Sequence, residues 1–174
     1  MEGMIKVQGA FNQWEDDLLL FPAEGLLPSG QALSVNTTYL IVSLVLTNST
    51  SENPILLQRL LTELQMRLLL PLLESPHYCP HEVLYTSLFY SYRGLLAGLF
   101  SSNGTSREEW QAAIERNRVF LQHAYKLGTR KKELKPLYNA LSKLRSKLRP
   151  FGLEIAISTS GSAYGLISLP FSQQ

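Results

Sequence analysis

Cysteine is nearly absent: Cys79 is the only one in 174 residues. A single thiol excludes an internal disulfide and points to a reducing cytoplasm as the expected compartment. Long apolar runs are missing too. The longest uncharged apolar stretch, residues 39–46, falls well short of the roughly 20 residues a membrane-spanning helix needs. Residues 1–10 lack the basic start and apolar run of a secretory leader, so no membrane association is expected. Catalytic phrases are also lacking. There is no glycine-rich phosphate loop, no Gly-x-Ser-x-Gly elbow and no His-Glu-x-x-His. With no visible nucleophile–base pair the chain is not expected to be an enzyme, and neither a cofactor nor a metal is expected. His77, Cys79 and His81 lie close together, but no fourth ligand accompanies them.

What is present is a chain able to build a core, at 45% hydrophobic and 17% charged. Its net charge of +2 is unevenly spread. Residues 1–90 carry three Lys/Arg against nine Asp/Glu, and residues 91–174 carry thirteen against five. Within residues 126–149 nine bases meet one acid, Glu133. Such an asymmetry suits a polyanion-binding end.

In chain order, residues 4–11 have weak strand character and residues 14–17 form an acidic turn. Residues 37–47 are rich in β-branched and aromatic side chains and read as a strand. A small antiparallel sheet is therefore expected over residues 4–47, closed by a polar loop at 48–54. Thr62 and Gln65 form a capping box that opens a helix with Leu64, Leu68, Leu69, Leu72 and Leu73 on its buried face. Pro71 should kink or loosen its last turn, and Pro76 should stop it. A second helix starts at His81, with Val83, Leu84, Leu88 and Phe89 apolar, and its pattern extends through Leu95, Leu96 and Leu99. Ser106, with Glu109 three places on, caps a third helix. Trp110, Ala113, Ile114, Leu121 and Tyr125 recur there at helical spacing, as a core stripe would. Gly128 closes it.

The next segment combines a basic helix with a hairpin. Leu134, Leu137, Leu141, Leu144 and Leu148 step by three and four and so line one side of a helix. Pro136 is read in its first turn, and Pro150 and Gly152 end it. Lys132, Lys135, Asn139, Ser142, Lys143 and Ser146 fall on the opposite side. Their ammonium, amide and hydroxyl groups suit phosphate oxygens and base edges. Two strands, 153–159 and 163–169, follow around Ser160, Gly161 and Ser162.

This order of parts resembles the winged helix-turn-helix effector domain of response regulators of the OmpR/PhoB type. The resemblance covers roughly residues 35–169. Leu61, Thr62, Gln65, Arg67, Leu68 and Leu69 stand in the phrase that opens the family's first helix, and Glu74 and Pro76 in the one that ends it. Glu82, Leu84, Leu88 and Phe89 match its second helix. Leu141, Ser142, Lys143, Leu144, Arg145, Ser146, Lys147 and Leu148 match its recognition helix. Gly161, Ser162, Ala163, Tyr164, Gly165 and Leu166 match the end of its wing. Three departures stand out. About forty-five residues separate Phe89 from Lys135, where the family has a dozen or so. Thr159 and Gly165 occupy positions where the wing customarily has arginines. Only about sixty residues of this sequence precede the first helix, so a receiver domain is not expected.

The resemblance implies an α+β fold: a winged helix-turn-helix with an N-terminal antiparallel sheet, about four helices and a C-terminal hairpin wing. Residues 1–54 would form the β-rich segment. Residues 55–170 would form the DNA-binding domain, with a helical insertion at about 90–130. It further implies a prokaryotic, sequence-specific regulator of transcription that binds double-stranded DNA, as a homodimer or with another regulatory protein. Asn139, Ser142, Lys143 and Ser146 are the expected base-facing residues. Lys132, Lys135, Arg145, Lys147 and Arg149 are the expected phosphate contacts, with Thr159, Ser160 and Tyr164 on the wing. The alternative expectation is a protein-interaction module that kept the shape and lost specific DNA binding, motivated by the arginine-poor wing and the long insertion.

Overall fold

The structure, a computed structural model, describes residues 5–6, 18–48, 54–75 and 77–169. The acidic turn expected at 14–17 and most of the strand expected at 4–11 lie outside these residues. The first layer is an antiparallel meander of β1 (Ile5–Lys6), β2 (Leu18–Phe21), β3 (Gln31–Asn36), β4 (Ile41–Leu46) and β5 (Ile55–Leu60), in that spatial order. Alternation builds its inner face. Leu19 pairs with Val35 and Phe21 with Leu33. Val35 in turn pairs with Val42 and Leu33 with Leu44. Leu19, Phe21, Leu33, Val35 and Val42 are all buried.

Two expectations for this layer are corrected. The strand expected over residues 37–47 begins only at Ile41. The Asn36 side chain accepts from the Thr38 and Tyr39 amides, at 3.1 and 2.8 Å, and so makes a turn there. The sheet does not stop at 47 but continues through β5, past the residue-54 boundary. Strand β5 is a free edge, exposed at all positions but Leu57, and therefore lacks the alternation that marks a half-buried strand. The Gln58 carbonyl accepts from its neighbour Arg59, and the Leu60 carbonyl from Lys147 at 3.5 Å. Both contacts protect the edge against further pairing.

Among the described residues five α-helices follow: α1 (Glu63–Glu74), α2 (His81–Phe89), α3 (Tyr92–Phe100), α4 (Gly104–Leu127) and α5 (Arg130–Leu148). The Thr62–Gln65 capping box opens α1 as expected, and the helix runs through Pro71. Leu68, Leu69 and Leu72 are buried, whereas Leu64, in the exposed first turn, is not. The apolar pattern from His81 to Leu99 is two helices rather than one. Arg67 of α1 donates to the carbonyls of Ser87 and Tyr90 at the end of α2 and lies over the Tyr92 ring. It satisfies acceptors that a continuing helix would have used itself. Ser91 then caps α3.

Helix α4 starts at Gly104, capped by Asn103 rather than by Ser106. Trp110, Ala113 and Leu121 are buried as expected, but Tyr125 is 73% exposed. A side chain at Gly98 would meet Trp110 at 2.5 Å, so the glycine is what lets α3 lie flat on α4. A one-turn 3-10 helix, Arg149–Phe151, leads from α5 into the hairpin β7 (Leu153–Ile157) and β8 (Ala163–Ser168). A third short strand, β6 (Cys79–Pro80), sits between α1 and α2 and adds to β8, giving the order β6-β8-β7. A side chain at Gly165 would meet the His77 carbonyl at 2.4 Å, so this pairing also depends on a glycine.

Candidate nucleic-acid interface

Gly128 ends α4 in the left-handed conformation, at φ +74°. Thr129 is the only other residue before α5 begins at Arg130. Pro136 therefore lies in the second turn of α5, not the first, and leaves the exposed Lys132 carbonyl without its helical donor. All five expected leucines, Leu134, Leu137, Leu141, Leu144 and Leu148, are buried, together with Ala140. They pack on α1, α2 and β7, with α4 against one flank.

On the opposite side Lys132, Lys135, Asn139, Ser142, Lys143 and Ser146 are all exposed. This outward row contains all four residues expected to face bases and two of the five expected to meet phosphates. Lys131 lies exposed beside it. Among the described residues the only side-chain hydrogen bond from the row is a weak one, Ser146 Oγ to the Ser142 carbonyl at 3.4 Å.

The other three expected phosphate contacts have partners within the chain. Arg145 pairs with Glu154 at 2.7 Å and donates to the Ile155 carbonyl at 3.0 Å. Arg149 pairs with the same carboxylate at 3.4 Å. Lys147 reaches the Leu60 carbonyl, as described above. Glu154 thus clamps the end of α5 to the hairpin.

At the hairpin tip Thr159 and Ser160 are exposed. Ser158, Ser160 and Ser162 form a chain of hydroxyls with O–O distances of 3.1 and 2.7 Å. Tyr164 is instead turned inward. Its ring stacks on His81 with centroids 5.0 Å apart.

His81 and Arg130 drew no functional expectation, yet they fix the start of α5. Arg130 Nη2 lies 3.1 Å from His81 Nδ1. A guanidinium can only donate, so Nδ1 accepts and the ring proton sits on Nε2. Burial, reinforced by the Arg130 charge, lowers the His81 pKa to about 4, so the ring is neutral at physiological pH. Its Nε2 is the one buried side-chain nitrogen or oxygen without a partner among the described residues. Only the phrase His77-Tyr78-Cys79-Pro80-His81 hinted at a special environment. Within it Cys79 and His81 are buried and His77 is exposed. No three His, Cys, Asp or Glu side chains among the described residues are grouped to hold a metal ion. No helix among them is long and apolar enough to cross a membrane.

No protein-family model, no curated protein and no solved structure matches this chain.

Proposed function

We propose that the chain is a sequence-specific DNA-binding regulator of transcription, with α5 as its recognition helix in the major groove. The carrying observation is the unobstructed outer row of α5, with its leucines beneath and a two-stranded hairpin alongside. A helix of this diameter fits the major groove, where amide, hydroxyl and ammonium groups can read base edges. The order sheet, α1, β6, α2, α5 and hairpin supports the winged-helix reading of the OmpR/PhoB type. In it, α3 and α4 are an insertion ahead of the recognition helix. Asn139, Ser142, Lys143 and Ser146 are the proposed base readers, and Lys132 and Lys135 the proposed phosphate contacts.

The competing reading is a protein-interaction module. The clamped arginines favour it, as do two exposed aromatic rings, Phe89 and Phe120, packed beside Tyr85. Site selection from random duplexes, followed by anisotropy titration, separates the two. A regulator yields a consensus, and Lys143→Ala then relaxes preference at one base position while Lys132→Ala weakens all sequences alike. Weak binding that is equal for every duplex supports the interaction module instead.

A further inference from the structure

Where α2, α4 and the first turn of α5 meet, the surface opens into a cleft of about 510 Å³. This is within the usual size range for small-molecule sites. Arg118, Gln122 and Lys126 enter it from α4, Arg130 from α5 and Glu82 from α2. Leu121 gives it an apolar wall and Tyr125 an aromatic one. The charges do not balance. Three cations line the cleft against one carboxylate, and Arg118 already has a counter-ion outside it, Glu115. Lys126 and Arg130 form no ion pair among the described residues.

Arg130 is held in place without being neutralised. Its anchor is the uncharged His81 imidazole, which occupies one terminal nitrogen and leaves the remaining N–H groups available. Converging like charges are costly unless an anion joins them, and a pre-positioned guanidinium is a good oxyanion receptor.

We infer that this cleft binds a small oxyanion, with phosphate or carboxylate oxygens on Lys126 and Arg130 and a hydrogen-bond donor of the ligand facing Glu82. No residue of the outer row of α5 lines the cleft, and the inference does not require the DNA reading. It gives the inserted α4 a purpose of its own, since an occupant would bridge α4 to the start of α5.

The test is calorimetric titration of the full chain with pyrophosphate and, separately, with citrate, with potassium chloride at matched ionic strength as control. Saturable binding is expected for at least one probe. Lys126→Gln, an exposed change, should weaken it about tenfold, as should Arg130→Gln, while Lys143→Gln on the outer row should leave it unchanged. Pyrophosphate alone binding would identify a phosphate ligand, and citrate alone a polycarboxylate. The inference fails if neither probe saturates, if potassium chloride reproduces the effect, or if Lys143→Gln weakens binding as much as Lys126→Gln does.

Discussion

Salt dependence offers a strong test of the α5 interface, because the structure divides its cations into two groups. Lys131, Lys132, Lys135 and Lys143 are exposed and have no ion pair among the described residues. Arg145 and Arg149 are held by Glu154, and Lys147 by the Leu60 carbonyl. If the four lysines together neutralise four phosphate charges, Lys143 doing so from within the groove while it reads a base, log affinity falls against log salt with a slope of about −3.6. Raising salt from 50 to 200 mM would then weaken binding roughly 150-fold. Were the three engaged cations also on phosphates, the slope would be about −6.3 and the loss roughly 6,000-fold. The perturbation that separates these cases is Glu154→Gln. It removes a charge that opposes DNA and deprives both guanidinium groups of their counter-ion, so the slope should steepen toward about −5.4. Anisotropy titrations of one labelled duplex at five salt concentrations measure it. A wild-type slope near −6, or a slope unmoved by Glu154→Gln, would refute the clamp as a restraint on DNA contact. A slope shallower than about −1 would remove α5 as a polyanion-binding face altogether.

Other consequences concern the support beneath that face. Leu144 is fully buried, so Leu144→Ala should cost about 3–5 kcal/mol and lower the melting temperature by roughly 6–20 °C. A loss below about 1 kcal/mol by denaturant titration would show that the stripe is not a packed core position. For His81 the unfolded chain binds a proton near pH 6.5 but the folded chain only near pH 4. Its contribution is therefore complete above pH 6.5 and is lost as pH falls toward 4, by on the order of 3 kcal/mol. His81→Asn should flatten that part of the stability profile, and an equally steep profile in the variant would count against the assignment. Burial pushes the Cys79 thiol up to about 12, the Ser75 hydrogen bond only partly offsetting it. Cys79 should thus resist a disulfide reagent at pH 8 until the protein opens, with a labelling rate that rises with denaturant. Immediate labelling of native protein would contradict its burial.

The parts of the fold legible in the sequence are those where one face is buried and the other wet. The leucine stripe of α5, the capping box of α1 and the glycine closing α4 all report local physics that tertiary packing leaves intact. Strand β5 was illegible because its residues, Ile-Leu-Leu-Gln-Arg-Leu, are exposed on both faces and carry only one β-branched side chain. The break between α2 and α3 was hidden for a different reason. The group that ends α2 is Arg67, some twenty residues upstream, and no local pattern encodes a cap supplied by another helix. The same limit applies to the candidate interface. Helical periodicity correctly put Asn139, Ser142, Lys143 and Ser146 outward, but it could not reveal that Glu154 would draw Arg145 and Arg149 aside. Those pairs depend on how the chain turns through Arg149–Phe151 from α5 into β7, which helical periodicity does not encode.

On the winged-helix reading proposed above, helices α3 and α4 are an insertion, and the manner of their attachment bears on that proposal. Helices α3 and α4 are not an appended arm. Leu95, Trp110 and Leu121 are buried, Tyr92 Oη donates to the Thr37 carbonyl at 2.6 Å, and Asn117 donates to Thr86 at 2.9 Å. These contacts tie the insertion to the sheet and to α2, while only Gly128 and Thr129 separate it from α5. A two-residue link containing a glycine can itself act as a hinge, so the coupling of α4 to α5 rests on the packing of the two helices and on α2, which touches both. The outer row of α5 nevertheless remains uncovered, so the insertion does not act by blocking it. One route from α4 to that row runs through the first turn of α5, where Arg130 hydrogen-bonds His81 and His81 stacks on Tyr164. These contacts place the start of the helix and the hairpin beside it on the same chain of side chains. Those are the two elements whose relative placement a winged-helix reading requires to be fixed.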